Sequence, residues 1–170
     1  ESQLNDAFGT LKAQGITELV LDLRYNSGGS IATANRLASM ITGQFNNQIF
    51  AKEQWNAKLE DYYSTNNPQT LLNLFTNTIN SSATINSLNL SKVYVLTTKS
   101  TASASELVIN GLEPYINVIQ IGDVTVGGST NNTLVITGPC SVESEEQIES
   151  AAQLCVELGV KVLRAGAYKP

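Results

Sequence analysis

Hydrophobic residues in the first part of the chain change from helical to strand-like spacing and back. Apolar positions three and four residues apart, ending at Gly15, predict an amphipathic helix over residues 2–14. The nearly continuous apolar run over 18–24 predicts a strand buried on both faces, which ends at the loop 26–29. Helical spacing then returns over 31–43. The order is helix, strand, glycine-containing loop and helix.

The same succession recurs later in the chain. An apolar run predicts a strand over 92–96, followed by a loop of small residues at 97–104. A helix is predicted from about 105 to 112, and a further strand over 117–121. Two strand–loop–helix units in series predict an α/β fold with a mostly parallel sheet. In such a sheet the functional loops follow the carboxyl ends of the strands.

The segment between the two units is rich in Asn, Gln, Ser and Thr. Residues 44–90 are predicted to be a polar, partly helical insertion of modest local order, with helical stretches around 53–63 and 70–79. The core that contains this insertion is predicted to extend over residues 1–128. No candidate chemistry falls within the insertion.

The hydrophobic pattern changes after a polar join at residues 129–132. A strand is predicted over 134–136, a helix with acidic residues in its first turn over 145–158, and a strand over 160–163. Residues 133–170 are therefore predicted to form one further βαβ unit.

Composition excludes several kinds of function. The 170 residues include 15 acidic and ten basic side chains, for a formal charge of −5, and contain no basic run, so nucleic acid is not an expected partner. No apolar run approaches the roughly 18 residues of a membrane span. The absence of histidine excludes Ser-His-Asp and Cys-His catalysis and every histidine-containing metal site. The sequence does not indicate an oligomeric state.

Ser103 is the first candidate for chemistry, because it lies between a predicted strand and a predicted helix. Its hydroxyl can project there while the N–H groups that follow point at an oxyanion formed beside it. The loop Asn26–Gly29 ends the other strand and could supply a second N–H to the same oxyanion. The alternative is a tight turn of small residues that only caps a helix.

Three sequence blocks carry a resemblance to a known family. Leu21-Asp-Leu-Arg-Tyr-Asn-Ser-Gly-Gly29, Thr101-Ala-Ser-Ala-Ser-Glu106 and Ile121-Gly-Asp-Val-Thr-Val-Gly127 together resemble the C-terminal processing, or tail-specific, serine peptidases. The resemblance covers roughly residues 1–127. It implies a ClpP/crotonase-like core, a Ser-Lys dyad without a cofactor, a protein or peptide substrate cleaved near its C-terminus, and an extracytoplasmic location.

The resemblance also implies roles for individual residues. Ser103 matches the nucleophile, and the N–H groups of Gly29 and Ala104 match the oxyanion hole. The general-base lysine of the family falls at Gly128. Without a neutral lysine to accept the hydroxyl proton, we expect an impaired peptidase. The alternative is a core that binds peptide ends without cleaving them.

The end of the chain resembles a different family. Val135-Ile-Thr-Gly-Pro-Cys-Ser-Val-Glu-Ser144 and the segment 158–170 resemble the start of DAHP synthase, a cytoplasmic TIM-barrel enzyme that condenses phosphoenolpyruvate with erythrose 4-phosphate on a divalent metal. The resemblance implies a metal ligand at Cys140 and phosphoenolpyruvate contacts at Arg164 and Lys169. The metal site lacks its histidine, so a free or buried thiol at Cys140 is the alternative.

The two resemblances meet at residues 127–133, where the peptidase lysine would stand. This abrupt change favours the hypothesis that the chain is a chimera, whether by fusion, mis-assembly of a gene or engineering. Three interpretations stay open from the sequence: an impaired serine peptidase, a fragment of an aldol-type synthase, and a peptide-binding module. The sequence does not decide whether the chain is an active enzyme.

Overall fold

The computed structural model describes residues 1–79 and 83–123, together with positions 136, 137, 149, 153, 162 and 163. The described elements, in chain order, are α1 (Ser2–Ala13), β1 (Val20–Asp22), α2 (Ile31–Thr42), β2 (Ile49–Lys52), α3 (Ala57–Asn66), a 3-10 helix (Pro68–Leu71), β3 (Leu72–Leu74), β4 (Lys92–Thr97), α4 (Ala104–Leu112), β5 (Asn117–Gly122), β6 (Ile136–Thr137) and β7 (Val162–Leu163).

A three-stranded parallel sheet organises the core, in the order β1-β4-β5. Val93 and Val95 of β4 are fully buried in one hydrophobic cluster with Ala38 of α2 and with Ile109 and Leu112 of α4. The two helices also pack against each other. The predicted α/β fold with a mostly parallel sheet is confirmed, and the two strand–loop–helix units lie side by side.

The prediction that the first strand is buried on both faces is wrong. Leu23 is buried, but Val20 is 59% exposed, and Asp22 of the same strand is also exposed. β1 lies at one edge of the three-stranded sheet, and Leu21, together with Leu19 and Leu23 on either side of the strand, packs on the buried cluster. Because successive side chains in a strand point to opposite faces, a continuous apolar run does not by itself show that both faces are covered.

Within the segment 44–90, the helix predicted over 70–79 is wrong. β3 lies there instead and pairs antiparallel with β2. Phe50 and Phe75 are buried with ring centroids 5.3 Å apart, and Tyr115 meets Phe75 at 4.9 Å. These aromatic residues are widely spaced in the sequence and therefore show no helical or strand period. The predicted helix around 53–63 is confirmed as α3, which has no buried residue.

Helix α2 ends at the predicted glycine, and a serine side chain caps its start. The Ser30 side chain accepts the Thr33 N–H at the start of α2, and Gly43 ends that helix with a φ of 69°. Toward the end of the chain, β6 and β7 pair in parallel and positions 149 and 153 are helical, which agrees with the predicted strand–helix–strand order. None of the helices in the described part of the chain is long and apolar enough to cross a membrane.

Candidate active site

The loop 23–30 after β1, here called the glycine loop, meets the loop 98–103 after β4, here called the serine loop, beyond the carboxyl ends of these neighbouring strands. Hydroxyl groups of the second loop join them by donating to carbonyls of the first: Thr101 Oγ1 donates to Leu23 O at 2.7 Å, and Thr98 Oγ1 donates to Arg24 O. Thr101 is fully buried. Since parallel neighbours end at the same edge of a sheet, the glycine loop and the serine loop are brought together by the topology itself.

Ser103 lies exposed at the sharp turn between β4 and α4. Its φ of 59° and ψ of −118° fall outside the regions that non-glycine residues usually adopt, at a cost on the order of 1–3 kcal/mol. The Ser103 N–H donates to the buried carboxylate of Glu106 at 2.8 Å, and Ser103 O accepts the Leu107 N–H at 3.0 Å. This strained turn presents the hydroxyl at the N-terminal end of α4.

Gly28 lies directly against Ser103. A Cβ added to Gly28 would be 2.7 Å from Ser103 Cβ and 3.1 Å from Ser103 Oγ, and the Gly28 φ of +134° is one that side chains with a Cβ rarely adopt. The Gly28 N–H is engaged, because it donates to Asn26 Oδ1 at 3.0 Å. Gly28 therefore provides close approach to the serine, while its N–H holds the loop.

The two predicted oxyanion donors lie on one pocket. A cavity of about 70 Å³ is bordered by both Gly29 and Ala104. Within residues 1–79 and 83–123, neither backbone N–H donates to a protein acceptor. The pocket is otherwise lined by apolar and small polar side chains: Leu23, Ala34, Leu37 and Val108, with Ser30 and Thr33 among the hydroxyls. Gly29 and Ala104 thus border the same pocket, whereas Ser103 is not among the residues that line it.

A charged pair flanks the glycine loop. Arg24 Nη2 lies 2.7 Å from Asp22 Oδ2, and the Arg24 Nε also donates to Asp22 Oδ1 at 2.9 Å. These hydrogen bonds lower the pKa of Asp22 to about 2. The guanidinium also lies 5.6 Å from the centre of the exposed Tyr25 ring. Arg24 is thus held at the end of β1, beside the loop that bears the glycines.

Several predicted site residues lie outside the described residues. These are Gly128, Cys140, Arg164 and Lys169, and their implied roles stay predictions. Within the part of the chain that the structure describes, no three carboxylate, thiol or imidazole groups come close enough to hold a metal ion.

Three residues that shape this site have no individual role predicted from the sequence: Gly28, Asn26 and Ser105. Asn26 and Ser105 are hydrogen-bonded to each other although 79 positions separate them in the chain. Both belong to the two sequence blocks that indicated the site, but spacing within each block gives no sign of a contact between them. The adjacent glycines 28 and 29 also look alike in sequence, and only their backbone angles and neighbours distinguish them.

A comparison with protein families matches residues 1–150 to peptidase family S41. Among solved structures, a Bacteroides fragilis NCTC 9343 protein assigned to the S41 proteases is 35% identical, with a TM-score of 0.61. The match covers 85% of this chain and 34% of that structure. A photosystem II D1 C-terminal processing protease is 24% identical over 74% of this chain and 27% of its own, with a TM-score of 0.48.

A curated protein of a different kind also matches. Phospho-2-dehydro-3-deoxyheptonate aldolase of Thermotoga maritima is 48% identical over 65 residues, which is 38% of this chain and 19% of the aldolase. The chain thus spans about a fifth of that aldolase and about a third of the Bacteroides structure. Matches to two different enzymes within one chain support the chimeric hypothesis.

Proposed function

Because the chain belongs to peptidase family S41, we propose that residues 1–128 are a serine-type endopeptidase core of the C-terminal processing class, with Ser103 as nucleophile. The observation that carries this proposal is the strained, exposed turn of Ser103, with Gly28 packed against its side chain. A residue held in such a conformation is a good candidate for function, since the fold bears its cost. The proposed substrate is a protein or peptide, and the proposed location is extracytoplasmic.

The proposed chemistry is acyl transfer. Ser103 Oγ forms a bond to the carbonyl carbon of the scissile peptide, and the carbonyl electron pair moves to oxygen. The N–H groups of Gly29 and Ala104 would stabilise that oxyanion, since both border one pocket and have no acceptor among the described residues. The hydroxyl proton must pass to a base. Collapse of the tetrahedral state then breaks the C–N bond, the leaving amine receives a proton, and a water molecule hydrolyses the serine ester to release the acyl product.

The proposed enzyme is impaired because it lacks that general base. Position 128, where the family lysine would stand, is glycine, and the chain contains no histidine that could replace it. Loss of one member of a nucleophile–base unit typically lowers kcat by several orders of magnitude. We therefore propose that the chain as it stands has greatly reduced peptidase activity.

Restoring the lysine tests this proposal. We expect Gly128→Lys to cleave an unfolded protein substrate at least about a hundredfold faster than the parent chain, the scale of general-base catalysis. The double variant Gly128→Lys with Ser103→Ala should lose that gain. Gly127→Lys adds the same charge one position away and serves as the matched control. Equal cleavage by Gly127→Lys, or cleavage that survives Ser103→Ala, would contradict the Ser-Lys assignment.

A second candidate, a peptide-binding module, is favoured by glycine at position 128. Such a core would keep the pocket and the two N–H donors while lacking turnover. Fluorescence anisotropy with labelled peptides distinguishes this function from the first. Peptide affinity that is unchanged by Gly128→Lys, with no cleavage by that variant, would support binding alone.

The aldolase match carries a third proposal, that residues 133–170 derive from an aldol-type synthase. In that interpretation Arg164 and Lys169 would bind phosphoenolpyruvate. The residues present do not fit its divalent metal, because the chain supplies Cys140 but no histidine. Isothermal titration with phosphoenolpyruvate, compared with an Arg164→Ala variant, tests the remaining binding function. Absence of Arg164-dependent heat would contradict it.

A further inference from the structure

We propose that Asn26 and Ser105 are positioning residues that set the distance between the two oxyanion donors, Gly29 and Ala104. The inference rests on the proposed peptidase function, and it concerns how the site is held rather than which group attacks. Neither residue would touch the reacting atoms. Asn26 lies in the loop after β1 and Ser105 in the first turn of α4, each close in sequence to the donor that it would position.

The contacts between Asn26 and the second loop use both of its oxygen atoms. Asn26 Oδ1 lies 2.8 Å from Ser105 Oγ, and Asn26 O lies 3.1 Å from the same hydroxyl. Asn26 O also accepts the Ala102 N–H at 3.3 Å. The asparagine therefore joins the glycine loop to Ala102, directly before Ser103, and to Ser105, two residues after it.

The same side chain shapes its own loop. Asn26 Oδ1 accepts the Gly28 N–H at 3.0 Å, an Asx-type turn that fixes the backbone just before Gly29. This hydrogen bond occupies the Gly28 N–H and leaves the Gly29 N–H as the donor that borders the pocket. A single side-chain oxygen thus selects which N–H of the glycine pair is available.

On the α4 side of the contact, burial and a backbone hydrogen bond hold Ser105 in place. It is 4% exposed, and its N–H donates to Ala102 O at 3.2 Å, so its hydroxyl position follows the first turn of α4. Ala104 immediately precedes it in that turn. If the contact from Ser105 to Asn26 were lost, the Gly29 N–H and the Ala104 N–H would no longer be held at one spacing.

If Asn26 and Ser105 set the spacing of the two donors, replacing either residue should weaken binding of the tetrahedral state only. Two donors at a fixed spacing stabilise an oxyanion, while a substrate in its ground state makes weaker use of them. Loss of a positioning contact should therefore weaken binding of a tetrahedral analogue and leave ordinary peptide binding nearly unchanged. A purely structural role would reduce both affinities together.

The test measures two dissociation constants for each variant of the full chain. One probe is a peptide boronic acid, whose boron forms a tetrahedral adduct with a serine oxygen while the hydroxyl proton is released to water. The other is the amide of the same peptide. The variants are Ser105→Ala, Asn26→Ala and their double mutant. Ser39→Ala is the matched control, because Ser39 is also a buried serine whose hydroxyl bridges two segments, away from the pocket.

We expect each single variant to weaken boronate binding by about tenfold or more, with amide binding changed less than about twofold. The double variant should bind the boronate less weakly than the product of the two single effects predicts, because both single variants lose the shared contact between Ser105 Oγ and Asn26 Oδ1. Ser39→Ala should leave both constants unchanged. Equal losses with both probes, or no loss with the boronate, would overturn the positioning role. Since Asn26 is exposed, Asn26→Ala provides the test if Ser105→Ala does not fold.

The same experiment separates this inference from the proposed function. If the parent chain and Ser103→Ala bind the boronate equally, Ser103 is not a nucleophile, and both proposals are overturned. If the adduct depends on Ser103 but is unaffected by Ser105→Ala and Asn26→Ala, only the positioning role is wrong.

Discussion

Replacement of Gly28 by alanine tests the contact between the glycine loop and the serine most directly. The new Cβ would lie 2.7 Å from Ser103 Cβ, and real Cβ atoms essentially never approach another heavy atom so closely. Ser103 Cβ is bonded to the backbone, so no side-chain rotation can move it away. One of the two loops must shift.

The magnitude follows from two costs. The Gly28 φ of +134° lies in a region that is nearly restricted to glycine, where a residue with a Cβ costs on the order of 1–3 kcal/mol. The overlap with Ser103 adds to this strain, so we expect Gly28→Ala to lower the free energy of unfolding by about 3 kcal/mol. Gly29→Ala is the matched control, because its Cβ would have no neighbour within 4 Å. Its effect should stay within about 0.5 kcal/mol.

Urea and thermal denaturation, followed by circular dichroism, measure the difference between the two variants. For a domain of this size, a difference of about 3 kcal/mol between the two variants corresponds to a gap in Tm of roughly 6–12 °C. Boronate binding to Gly28→Ala should also be weaker, since the serine or the glycine loop has moved. Equal stability of Gly28→Ala and Gly29→Ala would refute the close approach of Gly28 to Ser103.

Three further predictions concern the surroundings of the site. Gly122→Ala should lower the free energy of unfolding by about 3 kcal/mol in urea, because Gly122 has a φ of +121° and its Cβ would overlap Thr97 O. Gly111→Ala should cost about 1–3 kcal/mol through overlap with the buried Phe50 ring, and Phe50→Leu in the same chain should recover part of that loss. Asp22 should titrate near pH 2 by NMR. Arg24→Gln should raise that pKa toward 3.8. Because the pKa of Asp22 is lower in the folded chain than in the unfolded chain, ionised Asp22 stabilises the folded state at pH values above 3.8. This stabilisation disappears as the pH falls from 3.8 through about 2. An unchanged Asp22 pKa in Arg24→Gln, or wild-type stability in either alanine variant, would contradict the corresponding contact.

Local sequence patterns predicted the elements that carry the site. The strand–loop–helix succession was sufficient to place Ser103 at the start of α4, and Gly43 marked the end of α2. These features depend on residues close together in the chain, such as helix caps and strand runs. Their physical determinants are therefore visible in a short window of sequence.

Contacts between distant residues could not be predicted in this way. Asn26 and Ser105 are 79 positions apart, and neither residue type indicates its partner. The strand at Leu72–Leu74 falls within the stretch 70–79 that was predicted as helix. Pairing with β2 and burial of Phe75 override this local preference. Exposure of Val20 depended on the position of β1 in the sheet, which the apolar run alone does not specify.

The parallel pairing of β1 with β4 has a consequence for the order of folding. The hydrogen bond from Thr101 to Leu23 closes a loop of 78 residues, so the two halves of the site are far apart until the intervening chain has collapsed. We therefore expect the site to assemble late in folding. In pulse-labelling hydrogen exchange, amides within α1 and α2 should gain protection before the Ala102 N–H, whose acceptor is Asn26 O.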